Sequence, residues 1–481
     1  MKFAKLLEQK LVEENIPEEW MEAAIQYKAL KKCINKVVEE LEQMGLEQNT
    51  LKFLIEKNDG QNVVEIDRAD YTPTNPVIAN YTLTRARWGK NKQIVPVLEI
   101  AIDLDEQDEA RKSVALSLKQ KIDELAQNNS IVEKVTSSRH GSHDENRLVL
   151  SPKYGPQDSN IEEIEGIDEH MSKNANMTGH KEIIRIILKS DAEFFQMLDE
   201  ELERLGQLRD KEESKLLENV EHIRDEIQTT SDPTKMVAKK SDLYAWRELL
   251  KIYLDSEVFF KYNETSSTAF ARNEEQIKQN LDQFVSRIKG SGVVDKFRGK
   301  RSVAAFQEFV RVNYDLLRVL KFQAINSTAL RKILKKFDKQ TSLGVKYKFP
   351  QLVSNEKVFL SGSSIAKSIC YVMQSSLSQV VPLLDDYSCP ICTSIAFKPI
   401  KLECGHRFCV RCLVKLKHQD KTDCPFCRHP GAVTKADSLN LDVKAMKLMQ
   451  LYFPKEVKEK MKERDKEKYN ELVGNGKCVI T

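Results

Sequence analysis

Seven cysteines and one histidine fall in the order Cys389-x2-Cys392-x11-Cys404-x-His406-x2-Cys409-x2-Cys412-x11-Cys424-x2-Cys427. Zinc takes thiolate and imidazole ligands four at a time in a closed tetrahedral site, so eight of them in four close pairs supply two complete sites. Seven of the ten cysteines of the chain lie in this short stretch, a clustering that chance does not produce. Disulfides are the competing use of such pairs. They persist in oxidising compartments, however, and the sequence shows neither a signal peptide nor an apolar run long enough to span a bilayer. Because all eight ligands are used and no position is left for water, the metal is expected to be a scaffold and not a hydrolytic centre.

A second chemistry, anion binding, is suggested by lysines. Lys332, Lys335, Lys336 and Lys339 recur at i, i+3, i+4 and i+7 and so share one helix face, with Leu330, Ile333, Leu334 and Phe337 on the opposite one. Like charges on one face repel. The acidic residue within the run, Asp338, projects away from its centre, so a phosphate-rich ligand would supply the missing countercharge. A plain solvated face is the alternative. Nearer the N-terminus, Tyr27-Lys28-Ala29-Leu30-Lys31-Lys32 sets Tyr27 and Lys31 one turn apart.

These residues need elements to hold them. The chain has 481 residues, enough for two or three domains, and its net charge of +3 with 31% charged residues does not suit a bulk polyanion binder. A mean hydropathy of -0.49 beside 41% hydrophobic residues fits a helix-rich chain with solvated faces. Met1 to Glu56 carries two helical patterns broken near Asn15, Ile16 and Pro17. Tyr81–Trp88 and Ile94–Ile102, rich in β-branched and aromatic residues and separated by Gly89-Lys90-Asn91-Lys92, read as a β-hairpin. Residues 128–178, rich in Ser, Asn, Asp, Glu and Gly, read as a disordered linker. Ser190 with Glu193 forms a capping box that opens a long helix through Phe194, Phe195, Leu198, Leu202 and Leu205. Further helices are expected over 241–262, 265–289, 302–322 and 327–339, and 343–386 as connecting structure with one short helix. The fold class is therefore mainly α: a helical bundle with a long insertion, then a small zinc-stabilised α+β module.

The one-residue Cys404-Gly405-His406 step and histidine as fourth ligand make the zinc segment resemble the RING finger. That resemblance implies that Cys389, Cys392, Cys409 and Cys412 share one ion and Cys404, His406, Cys424 and Cys427 the other. It also implies docking of a ubiquitin-conjugating enzyme on Ile391, Leu416, Pro425 and Phe426, with Arg428 bridging that enzyme and ubiquitin. Leu416 stands where some RINGs have tryptophan. Met1-Lys2-Phe3-Ala4-Lys5, Pro17-Glu18-Glu19-Trp20, Tyr27 to Lys32 and Lys332 to Lys339 together resemble the SPX domain, with Ala4 in place of a common glycine. The resemblance implies a sensor of inositol polyphosphates or pyrophosphates, which would bind to Tyr27, Lys31, Lys332, Lys335, Lys336 and Lys339, with Lys2 and Lys28 adding to the surface. The expected organisation is an SPX domain over 1–345 with an insertion at about 60–180, a connecting segment over 346–386, the RING over 387–432 and a helical tail over 433–481.

An SPX domain followed by a RING resembles the SPX-RING ubiquitin ligases of plants and fungi. It implies ubiquitin and a conjugating enzyme as partners, with a protein substrate such as a phosphate transporter. A nucleic-acid partner is disfavoured, because 389–427 lacks a dense arginine and aromatic face. The absence of an oxidising signature points to the cytosol or nucleus. Cys478-Val479-Ile480-Thr481 fits a C-terminal prenylation pattern, with a free cysteine as the alternative; a single prenyl chain would give reversible membrane attachment.

Overall fold

The computed structural model describes residues 3–49, 51–52, 77–88, 91–103, 109–127, 132–136, 181–234, 241–259, 272–352 and 363–474. Two compact units share them. Residues 1–213 with 318–365 form the first, and 214–317 with 366–481 the second.

In the first unit, α1 (Phe3–Glu13), α2 (Glu18–Ala23) and α3 (Tyr27–Gln43) replace the two helices expected at the N-terminus. Pro17 stands just before α2, where a missing N–H costs nothing. Helix α3 buries Tyr27, Leu30, Cys33, Ile34, Val37 and Leu41 along one stripe, the periodicity that makes it amphipathic. The hairpin is present as β1 (Val77–Trp88) and β2 (Asn91–Asp103), with Trp88 opposite Asn91. Asn91 and Lys92, expected in the turn, are strand residues. The insertion holds more than a hairpin: α4 (Glu109–Gln127) follows, and β3 (Val132–Thr136) and β4 (Lys181–Leu188) complete an antiparallel sheet in the order β1-β2-β4-β3. Val132–Thr136 thus corrects the linker reading there; the rest of 128–178 lies outside the described residues.

Helix α5 (Lys189–Ser231) begins one residue earlier than the expected cap. Ser190 is not an N-cap: its hydroxyl and its N–H donate to the Glu40 carboxylate of α3, at 2.6 and 3.2 Å. Glu193 pairs instead with Lys36. The core of this unit is an aromatic cluster in which Phe194, Phe195, Phe337 and Phe349 lie with ring centroids 4.9 to 5.9 Å apart. The sheet is fastened to it by Tyr81, fully buried, whose hydroxyl donates to Asp191 at 2.9 Å.

Two helices expected over 302–322 and 327–339 are one, α8 (Lys300–Thr341). Its first part belongs to the second unit and its end to the first. The join falls at Asn326, a poor helix former kept helical by burial. Its Nδ2 donates to the Phe322 carbonyl at 2.9 Å, while its Oδ1 accepts the Ile25 N–H, also at 2.9 Å. Helix α9 (Val345–Leu352) follows.

The second unit contains α6 (Leu243–Asp255), α7 (Glu274–Ser291) and α10 (Ser363–Val380), of which α10 begins just before the unit boundary. An 18-residue α10 replaces the short helix expected in the connecting segment. Asn273 caps α7 by accepting from the Gln276 N–H, and Tyr253 is wedged between Phe284 and Phe309 with its hydroxyl on Asn313. The zinc-ligand segment brings a two-stranded sheet of β5 (Pro399–Lys401) and β6 (Arg407–Cys409), then α11 (Val410–Lys417). The tail forms α12 (Val443–Tyr452) and α13 (Pro454–Gly474).

The ligand module does not hang free of the bundle. Arg247 of α6 donates through Nε to the Pro382 carbonyl at 2.9 Å and through Nη2 to the Tyr452 carbonyl at 3.2 Å, and its guanidinium lies 4.1 Å from the Phe453 ring centroid. Tyr244, one turn earlier, donates to Glu456 at 2.8 Å. One arginine therefore grips the chain on both sides of the module.

Candidate metal centres and lysine surface

The ligand sets form from turns that the sequence repeats. In Cys389-x2-Cys392 and Cys424-x2-Cys427 the residue after the second cysteine, Thr393 or Arg428, takes a left-handed backbone (φ 54° and 60°). Its N–H donates to the carbonyl of the first cysteine, at 2.8 Å in both. Gly405 at φ 87° turns the Cys404–His406 step, a conformation at which a side chain would be strained. Cys409 precedes α11 and Cys412 lies in its first turn, so three residues' spacing sets both sulfurs on one side.

These turns gather Cys389, Cys392, Cys409 and Cys412 into one set, and Cys404, His406, Cys424 and Cys427 into another, with the ligand atoms of each within 4.8 Å of one another. The pairing implied by the RING resemblance is the one found. The Cys392 and Cys409 sulfurs are 3.7 Å apart, and His406 Nδ1 lies 3.4 Å from the Cys404 sulfur and 3.8 Å from that of Cys424. Zinc–sulfur bonds of about 2.3 Å at the tetrahedral angle put sulfurs about 3.8 Å apart, so the residues fit two zinc ions. Backbone N–H groups of Phe397 and Cys409 point at the sulfurs of Cys409 and Cys389, the donors that a thiolate needs. Hydrogen bonds from Cys409 and Cys412 hold the Cys389 thiol far below the usual thiol range, while the bond to Cys389 drives Cys409 far above it. A dication ends that competition by taking all four as thiolates.

Of the expected docking residues, Ile391 is 40% and Phe426 66% exposed, and Pro425 and Arg428 are also exposed. Leu416 is not: at 8% exposure it is part of the module's core with Phe408, Leu413 and Ile400. The accessible part of the predicted groove falls to Ile391, Pro425 and Phe426. The Phe426 ring packs 4.6 Å from that of His406, so a zinc ligand steadies it. Residue spacing gave no sign of Lys460 on α13. Burial opposes its charge, but the Cys392 sulfur and the Glu463 hydrogen bond outweigh this and raise its pKa. Arg464, one turn on, covers the Phe397 ring at 4.9 Å. A mixed-charge helix far along the chain carries no signal for either contact.

The lysine surface lies within the first unit. Leu330, Ile333, Leu334 and Phe337 are buried, Lys332, Lys335 and Lys339 exposed and Lys336 half-buried. Lys28 is exposed and Lys31 half-buried on α3, while Tyr27 is buried. Lys2 and Cys478 lie outside the described residues. Burial, then Lys31 and Lys339, lower the Lys336 pKa, so α3 and α8 do bring their lysines together. Asp338 is turned aside: it accepts the N–H groups of Val345 and Lys346 at 2.6 and 2.8 Å and so caps α9. Among the described residues no carboxylate is paired with Lys28, Lys31, Lys332, Lys335, Lys336 or Lys339.

The SPX domain family model matches residues 1–353. The chain belongs to the SPX family. A zinc finger of C3HC4 type, the RING finger, matches residues 385–432, so an N-terminal SPX domain and a C-terminal RING share this chain. The transcriptional regulator of yeast form adherence 3 of Candida albicans is 48% identical over the full length of both proteins. An uncharacterized RING finger protein of Schizosaccharomyces pombe is 31% identical over 98% of each chain. Over 47 residues, 10% of this chain and 9% of its own, mouse E3 ubiquitin-protein ligase TRIM31 is 38% identical. No solved structure matches.

Proposed function

We propose that this SPX-RING protein is a RING-type ubiquitin ligase whose SPX domain binds inositol polyphosphates or pyrophosphates. The observation that carries the ligase reading is the pair of complete four-ligand sets beside exposed Ile391, Pro425, Phe426 and Arg428. The zinc ions supply folding energy and a fixed frame. The RING would hold a ubiquitin-conjugating enzyme and its ubiquitin in reactive geometry, and a substrate lysine would attack the thioester. No side chain of this protein carries ubiquitin in that scheme, because the RING cysteines are ligands. The guanidinium of Arg428, planar with five donors, suits a bridge between two proteins. The likeness to an E3 ubiquitin-protein ligase supports the reading. The lysine surface without carboxylate partners supports the anion site. Sensing of inositol phosphates would tie the ligase to phosphate homeostasis, with transporters as substrates, in the cytosol and, if Cys478 is prenylated, at membranes.

The test is reconstituted autoubiquitination with a panel of conjugating enzymes, with and without inositol hexakisphosphate. Ile391→Ala and Arg428→Ala should each lower the rate, and Lys335→Ala/Lys336→Ala should remove any response to ligand. Activity that ignores both RING substitutions would sink the docking assignment. One observation favours a second reading, a non-enzymatic adaptor: burial of Leu416 leaves the docking face smaller than in a RING with an exposed anchor. Inactivity across the panel with zinc fully bound would support that adaptor.

A further inference from the structure

Lys332 differs from the other lysines of the surface in having a partner. Its Nζ lies 4.0 Å from the centroid of the Phe3 ring. Phe3 in turn meets the Tyr27 ring edge-on, at 4.8 Å and 68°. The three residues come from α8, α1 and α3, and Tyr27 opens the helix that carries Lys28 and Lys31. The surroundings are repulsive: Lys31 and Lys339 press on Lys336, and Asp338 is spent on α9. A carboxylate placed here would relieve the repulsion but would also compete with ligand phosphates. The face of an aromatic ring is negative without being an anion, so it steadies an ammonium and leaves the site open. With three donors, the ammonium can rest on the ring and still reach a phosphate oxygen.

Resting on the anion-site reading above, we infer that Phe3 is a positioning residue: its ring, braced by Tyr27, holds the Lys332 ammonium ready for a polyphosphate. Lysine otherwise has one of the largest side-chain entropies to lose on binding. The role belongs to the ring's charge distribution and not to its bulk.

Calorimetric titration of the full-length protein with inositol hexakisphosphate tests this with Phe3→Leu and Phe3→Trp, each alone and in a Lys332→Ala background. Phe3→Leu, which keeps apolar volume, should weaken binding about two- to five-fold. Phe3→Trp should hold affinity at or above wild type, and Phe3→Leu should change nothing once Lys332 is alanine. An equal loss in both backgrounds would mean that Phe3 acts by packing on Tyr27, and it overturns the inference, as does full affinity in Phe3→Leu. Lys335→Ala/Lys336→Ala separates the two levels. Undiminished binding in that variant ends the anion-site reading itself, whereas a loss there beside intact Phe3→Leu binding rejects only the role of Phe3.

Discussion

Arg428 shows how far one residue's backbone can serve another's chemistry. Its left-handed conformation is disfavoured by on the order of 1 kcal/mol for a residue with a Cβ, yet the bond to the Cys424 carbonyl and the flanking ligands hold it there, as they hold Thr393 in the other turn. Arg428→Ala should therefore leave two zinc ions per chain by metal analysis while lowering ubiquitin transfer about tenfold. Cys404→Ser should cost a zinc ion and the transfer together. Buried carboxyls of the SPX domain make a different prediction. Burial raises Asp191 to about 8 and Glu201 to about 7, from 3.8 and 4.5. The folded chain keeps protons that the unfolded chain has released above about pH 4 to 4.5, so unfolding releases protons. This contribution is full below about pH 4 and is lost as pH rises to about 8. Denaturant titrations across that range should show the decline, and Asp191→Asn should flatten it.

Asn326 does for an element what Arg428 does for a side chain. It joins two expected helices into one and holds the loop between α2 and α3 through the Ile25 N–H. Asn326→Ala would leave that buried donor unpaired, at a cost of about 1–3 kcal/mol in urea unfolding. Continuity of α8 was not legible, because the Asn326-Ser327 pair is where a helix-former count drops and only burial overrides it. The same holds for Ser190 and Glu193: a capping box was legible as a pattern, but its partner Glu40 stands 150 residues away. Strand β4 was hidden by the helix immediately behind it. What could be read were local periodicities: the zinc pairs, the lysine stripe with its apolar back, and the hairpin. Contacts such as Phe3 on Lys332 or Arg464 on Phe397 depend on long-range packing, which spacing does not encode.

At the scale of the whole molecule the SPX family match, residues 1–353, runs through both compact units, whereas the RING match, residues 385–432, lies inside the second, where 214–317 pack with 366–481. Arg247, only 8% exposed, links the two stretches through the Pro382 and Tyr452 carbonyls. Arg247→Ala should cost on the order of 2–3 kcal/mol, as hydrogen bonds from a buried charge do, and should open the chain near Pro382 and Tyr452 to limited proteolysis while zinc stays bound. Chelation should do the reverse, unfolding the ligand segment before the flanks that Arg247 grips. Cutting this gene at the borders of its sequence signatures would yield a RING stripped of the foundation it is bolted to, and an SPX fragment whose Arg247 is uncovered and has lost the carbonyls it donates to. Failure of either piece to behave would then report the scissors and not the biology.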